Sequence, residues 1–275
     1  MSNDPDTPSP TILEAAITVL QTQAPGEKTQ AANHVGLLLQ QHAPLGLEKA
    51  LALPARPARP EQPVLVHPSQ VKKRGLGTQT GRAALMHAVA HIEFNAIDLA
   101  FDMAARFGPK TQELGLDTRA FVTNWVNVGL DEARHFQMVN KRLHELGCAY
   151  GDLPAHDGLW EAAEATAENF AARLAIAPLI LEARGLDVTP QMIKKLETAG
   201  DQDSADVLKI IYQEEISHVA CGKRWFDEVC DKLGQEPAQF FHKNREDYFS
   251  GQLKPPFNHE ARREAGLSRD FYEPN

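Results

Sequence analysis

A chain of 275 residues that is 43% hydrophobic can bury a large core as one domain with appendages. Its net charge of −9 disfavours a nonspecific nucleic-acid or membrane-surface binder. Three cysteines without a CxxC pair exclude a disulfide framework, and no apolar run reaches the roughly 18 residues of a membrane span. No secretory signal opens the chain, so a cytoplasmic location is expected.

Residues 1–10 are polar and are expected to form a disordered tail. Residues 11–77 read as two short helices, 11–22 and 28–42, turned at Ala24-Pro25-Gly26, followed by a strap. The prolines from Pro54 to Pro68 exclude helix and central strand, and predict a semi-rigid extended segment. Residues 43–82 carry seven Lys/Arg against two Glu, +5, which leaves −14 on the rest; the stretch reads as a solvated linker before a partner-binding strip.

A bundle is expected over residues 78–234. Its first helix runs to Phe107 and stops at Gly108-Pro109. The second covers residues 118–146 and ends at Gly147. The next ten or so residues, to Gly158, reach about 33 Å when extended, enough for a crossover along the bundle. The third helix covers 159–183 and breaks at Gly185, and a short helix over 190–199 takes Thr189 as N-cap and Pro190 at its first position. The fourth covers 203–233. Residues 235–275 form a C-terminal extension with a helix over 237–249. No strand pattern occurs, and the expected fold class is all-α.

Glu93, Glu132 with His135, Glu182, and Glu215 with His218 stand out on these helices. At about 100° per residue, the stripe of Glu93 holds Met86, Val89, Ala90, Ile97 and Ala100, while His87, His91, Asn95, Asp98, Asp102 and Arg106 fall opposite. Glu93 is then the one charge on the core face, with His87 and His91 facing solvent or a neighbouring helix. Glu132 and His135 share a stripe with Trp125, Val128, Gly129, Phe136 and Val139. Glu215 and His218 share one with Leu208, Ile211, Tyr212, Val219 and Gly222, and Glu182 ends an all-apolar run. Four carboxylates in one core repel one another unless cations neutralise them. Positions i and i+3 lie one turn apart, so Glu132 and Glu215 can bridge two metals while His135 and His218 each cap one, with Glu93 and Glu182 as terminal ligands. Such an O/N set suits two Fe ions, with Mn or a mixed Fe/Mn pair as alternatives. Tyr212, one turn from Glu215, reads as a core tyrosine before a redox residue or a hydrogen-bond partner of a ligand. Gly129 and Gly222, on the metal side, leave room for a pocket or for close helix packing. Pro178 removes the hydrogen bond to the Leu174 carbonyl and predicts a kink beside Glu182.

Asp131-Glu132-Ala133-Arg134-His135 and Glu214-Glu215-Ile216-Ser217-His218 resemble the paired signatures of the ferritin-like di-iron carboxylate superfamily, which includes ferritins, rubrerythrins, ribonucleotide reductase small subunits and bacterial multicomponent monooxygenases. The stretches His91-Ile-Glu93, Leu181 to Asp187 and His218 to Gly222 resemble more narrowly a mostly uncharacterised bacterial ferritin-like family, a domain of unknown function, over nearly the whole chain. The resemblance implies a ferritin-like four-helix bundle. It also implies that Asp131 and Glu214 hydrogen-bond the ligand histidines across the bundle, with Arg134 balancing Asp131. Ser217 departs from the pattern where the second half would carry an Arg, which breaks a symmetric charge network.

The resemblance favours an O₂- or peroxide-dependent oxidase or hydroxylase of a small organic molecule. The alternatives are an iron-handling ferroxidase and a non-catalytic, metal-stabilised bundle. Storage cages of the superfamily are little more than the bundle, whereas this chain adds helices, a strap and an extension. A hydroxylase of a modified tRNA base is a minor alternative, kept open by the +5 stretch. No flavin or nicotinamide fingerprint occurs, so an external electron donor, a reductase or ferredoxin, is expected. A small homo-oligomer is compatible with this reading.

Overall fold

The computed structural model describes residues 10–49, 51–71 and 75–273, so the tail expected over residues 1–10 lies outside them but for Pro10. The described chain is all-α; its β content is one isolated parallel bridge between Leu65 and Ala155. The helices are α1 (Ile12–Gln21), α2 (Pro25–Gln40), α3 (Gln79–Glu113), α4 (Thr118–Glu145), α5 (Gly158–Ala165), α6 (Phe170–Ile176), α7 (Ala183–Thr198), α8 (Gln202–Leu233), α9 (Pro237–Tyr248) and α10 (His259–Glu264). A π-helical turn, Ala177–Glu182, joins α6 to α7.

Local chemistry sets the boundaries. Thr11 and Glu14 form a capping box at α1. Thr78, Asp117, Asn169 and Asp201 each accept a backbone N–H at the start of α3, α4, α6 and α8. Gly234, at φ 63°, closes α8 in the left-handed conformation. The long helices pack in pairs, α3 with α4 and α7 with α8, while α6 and the π turn lie against α8. In front of them α1 covers α3, and α2 covers α4.

Three expectations about helix ends are corrected. The first bundle helix does not stop at Gly108-Pro109 but continues to Glu113. Gly108 is needed for close approach, since a Cβ there would lie 3.2 Å from Val122, and the Thr111 hydroxyl bonds the Gly108 carbonyl at 2.6 Å. The third helix is not continuous: residues 166–169 interrupt it, and Pro178 opens the π turn where a kink was expected. Nor does it break at Gly185, and Pro190 sits inside α7 rather than at a helix start. Pro190 leaves the Leu186 carbonyl without its helical donor. Asn258 supplies one from the C-terminal segment, Nδ2 to O at 3.2 Å.

The far side of α3 is also buried, contrary to the stripe reading. His87 accepts from the Gly151 N–H at 3.0 Å, and His91 bonds the Tyr150 hydroxyl at 3.0 Å and donates to the His156 carbonyl at 3.1 Å. Both histidines hold the crossover rather than face solvent. Glu93 is not the only buried acid of α3: Asp98 pairs with Lys28 of α2, and Asp102 pairs with Arg173 at 2.5 Å and Arg106 at 2.8 Å. The strap, expected as a solvated linker, lies against the crossover. Arg56 and Arg59 pair with Asp157, and Val66 N–H bonds the Ala155 carbonyl at 2.8 Å.

The Lys28–Asp98 pair is fully buried. Burial pushes the Asp98 carboxyl up to about 6 against the pull of Lys28, and pushes the Lys28 ammonium down. Removing one partner of such a pair costs about 3–5 kcal/mol, because the other charge is stranded. Lys28→Met is therefore expected to destabilise by that amount in urea unfolding, and Lys28→Met with Asp98→Leu to recover most of it. A single variant as stable as the double one would contradict this.

Candidate metal centre

The six residues singled out by spacing converge. Glu93 comes from the middle of α3, Glu132 and His135 from α4, Glu182 from the last position of the π turn, and Glu215 and His218 from α8. Ligand atoms of Glu93, Glu132, His135 and Glu215 all lie within 4.8 Å of one another. His135 Nδ1 is 3.2 Å from Glu93 and 3.4 Å from Glu132; His218 Nδ1 is 2.9 Å from Glu132 and 3.6 Å from Glu215. Glu132 thus stands between the two imidazoles.

These contacts lack hydrogen-bond geometry. Glu93 Oε2, both oxygens of Glu132, Glu182 Oε2, Glu215 Oε2 and both imidazole Nδ1 atoms are buried without a hydrogen-bond partner. No Lys or Arg among the described residues pairs with any of the four glutamates. Glu182 and His218 fall outside that four-residue group, but all seven orphaned atoms belong to neighbouring buried side chains, a set that could hold metal ions.

The outer nitrogens point the other way. His135 Nε2 donates to Glu214 at 2.5 Å, and His218 Nε2 lies 3.4 Å from Asp131. A proton on each Nε2 leaves the Nδ1 lone pair directed inward, the tautomer a metal needs. Arg134 bridges the two acids, 3.1 Å from Asp131 and also paired with Glu214, while Ser217 bonds only the Glu214 carbonyl. The network is asymmetric, as the missing Arg suggested. Tyr212 is not brought to the centre: its hydroxyl accepts from Asn258 Nδ2 at 2.9 Å.

Gly129 and Gly222 do not open a pocket. A Cβ at Gly129 would come within 2.7 Å of the Phe101 ring, and one at Gly222 within 2.3 Å of Pro178, so both serve close packing. The space next to the glutamates lies elsewhere, between α3, α7 and α8. It is a cavity of about 190 Å³ onto which Glu93, Glu132, Glu182 and Glu215 face, walled by Val89, Ala96, Leu99, Val188, Met192 and Ile211. Composition gave no signal for it, because its walls come from helices distant in sequence.

The cluster is tuned by burial and by its own charges. Burial, reinforced by Glu215 and Glu132, pushes the Glu182 carboxyl up to about 8, and Glu93 and Glu215 are raised for the same first reason. Burial would also raise Glu132, but the two imidazoles outweigh it and hold it low. Burial opposes charge on His135, yet Glu132 and Glu93 lift it to about 11. Glu182 and His135 therefore hold protons in the metal-free fold that the unfolded chain releases near pH 4.3 and 6.5, to an approximation. Their stabilising effect is full below those values and is lost as pH rises, through about 8 for Glu182 and on toward about 11 for His135. Glu132 acts oppositely, and only on the acid side. Metal-free protein should accordingly lose melting temperature from pH 6 to 8.5, whereas metal-loaded protein should not, because metal replaces the protons. Calorimetric melts of both forms across that interval decide it; a metal-free melting temperature that held level or rose would refute the shared-charge cluster.

An uncharacterized protein of Haemophilus influenzae is 41% identical over 260 residues, 92% of this chain and 89% of that protein. No solved structure matches. A family model described as "Protein of unknown function (DUF455)" matches residues 21–273, which takes in the strap, all six clustered residues and the C-terminal extension. The chain belongs to the DUF455 family.

Proposed function

We propose that this protein is a ferritin-like dimetal carboxylate oxidoreductase acting on a small organic substrate. The observation that carries the reading is the set of seven buried, unpartnered ligand atoms on six residues of four helical segments. Glu93 and His135 would hold one ion, Glu182 and His218 the other, with Glu132 and Glu215 shared. Two iron ions in that set would supply activation of O₂ or peroxide and oxidation of the substrate, with electrons from a separate reductase or ferredoxin.

The protein's own part is positional. Glu214 and Asp131 fix the imidazole tautomers, and the histidines, with Arg134, keep both acids ionised. The apolar walls beside the glutamates exclude water and leave room for a reactant, which favours turnover over storage or a purely structural metal. A nucleic-acid substrate loses support, since Arg56, Arg59 and Arg82 of the basic stretch pair with Asp157 and Asp201 of the same chain. Among the described residues no helix is long and apolar enough to cross a membrane.

Elemental analysis of iron-supplemented protein is expected to find about two transition-metal ions per chain. Glu132→Ala or Glu215→Ala should lose both, and Glu93→Ala or Glu182→Ala mainly one. Protein carrying neither Fe nor Mn would end the dimetal reading.

Aerobic addition of Fe(II) should consume O₂ up to about two irons per chain and then stop until a reductant is supplied. Accumulation of hundreds of irons in a shell-like assembly would assign the protein to storage. Metal binding with no O₂ consumption under any reductant would leave the metal a structural role.

A further inference from the structure

Gly185, the third residue of α7, has no structural reason to be glycine. Its φ is not positive, and a Cβ built on it meets nothing within 4 Å. Glycine inside a helix destabilises it relative to alanine. Gly129 and Gly222, by contrast, are held to glycine by Phe101 and Pro178. What the missing side chain at Gly185 leaves is open space in the cavity beside the four glutamates, which it lines.

The residue before it supplies a charge. Among the described residues Arg184 is the one basic residue lining this cavity, and its side chain is 41% accessible. With Ile92, 46% exposed, it marks the mouth. Arg184 Nη1 is fixed by the carbonyls of Lys254 at 2.7 Å and Pro256 at 3.1 Å, and lies 3.4 Å from Asp187. Asp187 is already neutralised by Arg262, at 2.8 and 2.7 Å. Arg184 Nε and Nη2 donate to nothing among the described residues. A guanidinium anchored through one nitrogen, with its other donors free, is arranged to receive an oxyanion. The interior is apolar apart from Thr189 and the glutamates themselves. At about 190 Å³ it exceeds the roughly 150 Å³ cavity that holds benzene.

We propose that the cavity takes a small organic monoanion: an apolar body, an aromatic ring or short alkyl chain, sits against the glutamate cluster, and a carboxylate head at the mouth pairs with Arg184. Gly185 keeps the entrance clear. The proposal rests on the dimetal reading only in naming this ligand the substrate; the binding itself does not.

The test is calorimetric titration of the protein as purified, its metal content measured alongside, with benzoate, benzyl alcohol and benzylamine. Benzoate should bind at least tenfold more tightly than either neutral or cationic probe. Arg184→Gln should reduce benzoate to the level of benzyl alcohol. Gly185→Leu should abolish binding of both with metal content and helicity unchanged, while Gly185→Ala should bind as the parent does. Val188→Phe is a second blocking variant, should the leucine fail to fold. Equal binding of the three probes, tighter binding of benzylamine, no binding of any, or full binding by both blocking variants would each overturn the proposal. So would benzoate affinity unaffected by Arg184→Gln, which would place the carboxylate on the metals. Metal-free protein showing the expected pattern would establish the pocket independently of the metals, and the dimetal reading would then rest on the elemental analysis of iron-supplemented protein alone.

Discussion

Four carboxylates and two imidazoles share one buried volume, and two imidazoles are too few to offset four carboxylates. Ionised carboxylates are costly to take out of water unless a counter-charge and hydrogen bonds compensate. Elsewhere this chain provides that counter-charge itself: Asp98 has Lys28, Asp102 has Arg173 and Arg106, Asp187 has Arg262, and Asp201 has Arg142 and Arg82. Around Glu93, Glu132, Glu182 and Glu215 the described residues provide no lysine or arginine, and the only side chains that oppose their charge are His135 and His218. A sequence that gives four buried aspartates an arginine or lysine each gives these glutamates only two imidazoles, a set that could hold metal ions.

The architecture is arranged around that demand. The imidazoles close the site from one side, each latched to an acid on the facing helix, so that α4 and α8 are tied across the centre twice. The latching acids reach the surface, Asp131 with 40% and Glu214 with 34% of the side chain accessible. The opposite side of the cluster is apolar. A polar, accessible edge and an apolar edge thus meet at the same group of glutamates.

The centre was legible in the sequence because helical periodicity is local. The i, i+3 spacing and the apolar company of each Glu suffice to aim six side chains inward, and the acids preceding each Glu-x-x-His follow from the family pattern. The environment of α3 was not legible. A stripe analysis assigns His87, His91, Asp98 and Asp102 to a polar outer face, but it has no knowledge of α1, α2, the strap or the crossover that cover that face. Lys28 lies 70 residues from Asp98 and Arg173 lies 71 from Asp102. The proline and glycine signals failed in a different way. Gly185 and Pro190 locally favour a helix end, yet α7 runs through both, with Asn258 supplying the donor that Pro190 removes. Gly129 and Gly222 left a pocket and close packing open, and Phe101 and Pro178 decide for packing.

Asn258 caps α10, bonds the Tyr212 hydroxyl of α8, and donates to the Leu186 carbonyl that Pro190 leaves open in α7. One side chain near the carboxyl end of the chain therefore completes the backbone of the helix that carries Gly185 and Val188. Arg184 reports to the same segment through the carbonyls of Lys254 and Pro256. The rigidity of the cavity wall is thus set at a distance. Loss of residues 250–273 by proteolysis would strip a donor from mid-helix and release the guanidinium at the entrance, and the damage would appear as faster amide exchange around Leu186 while the glutamate cluster itself stayed intact.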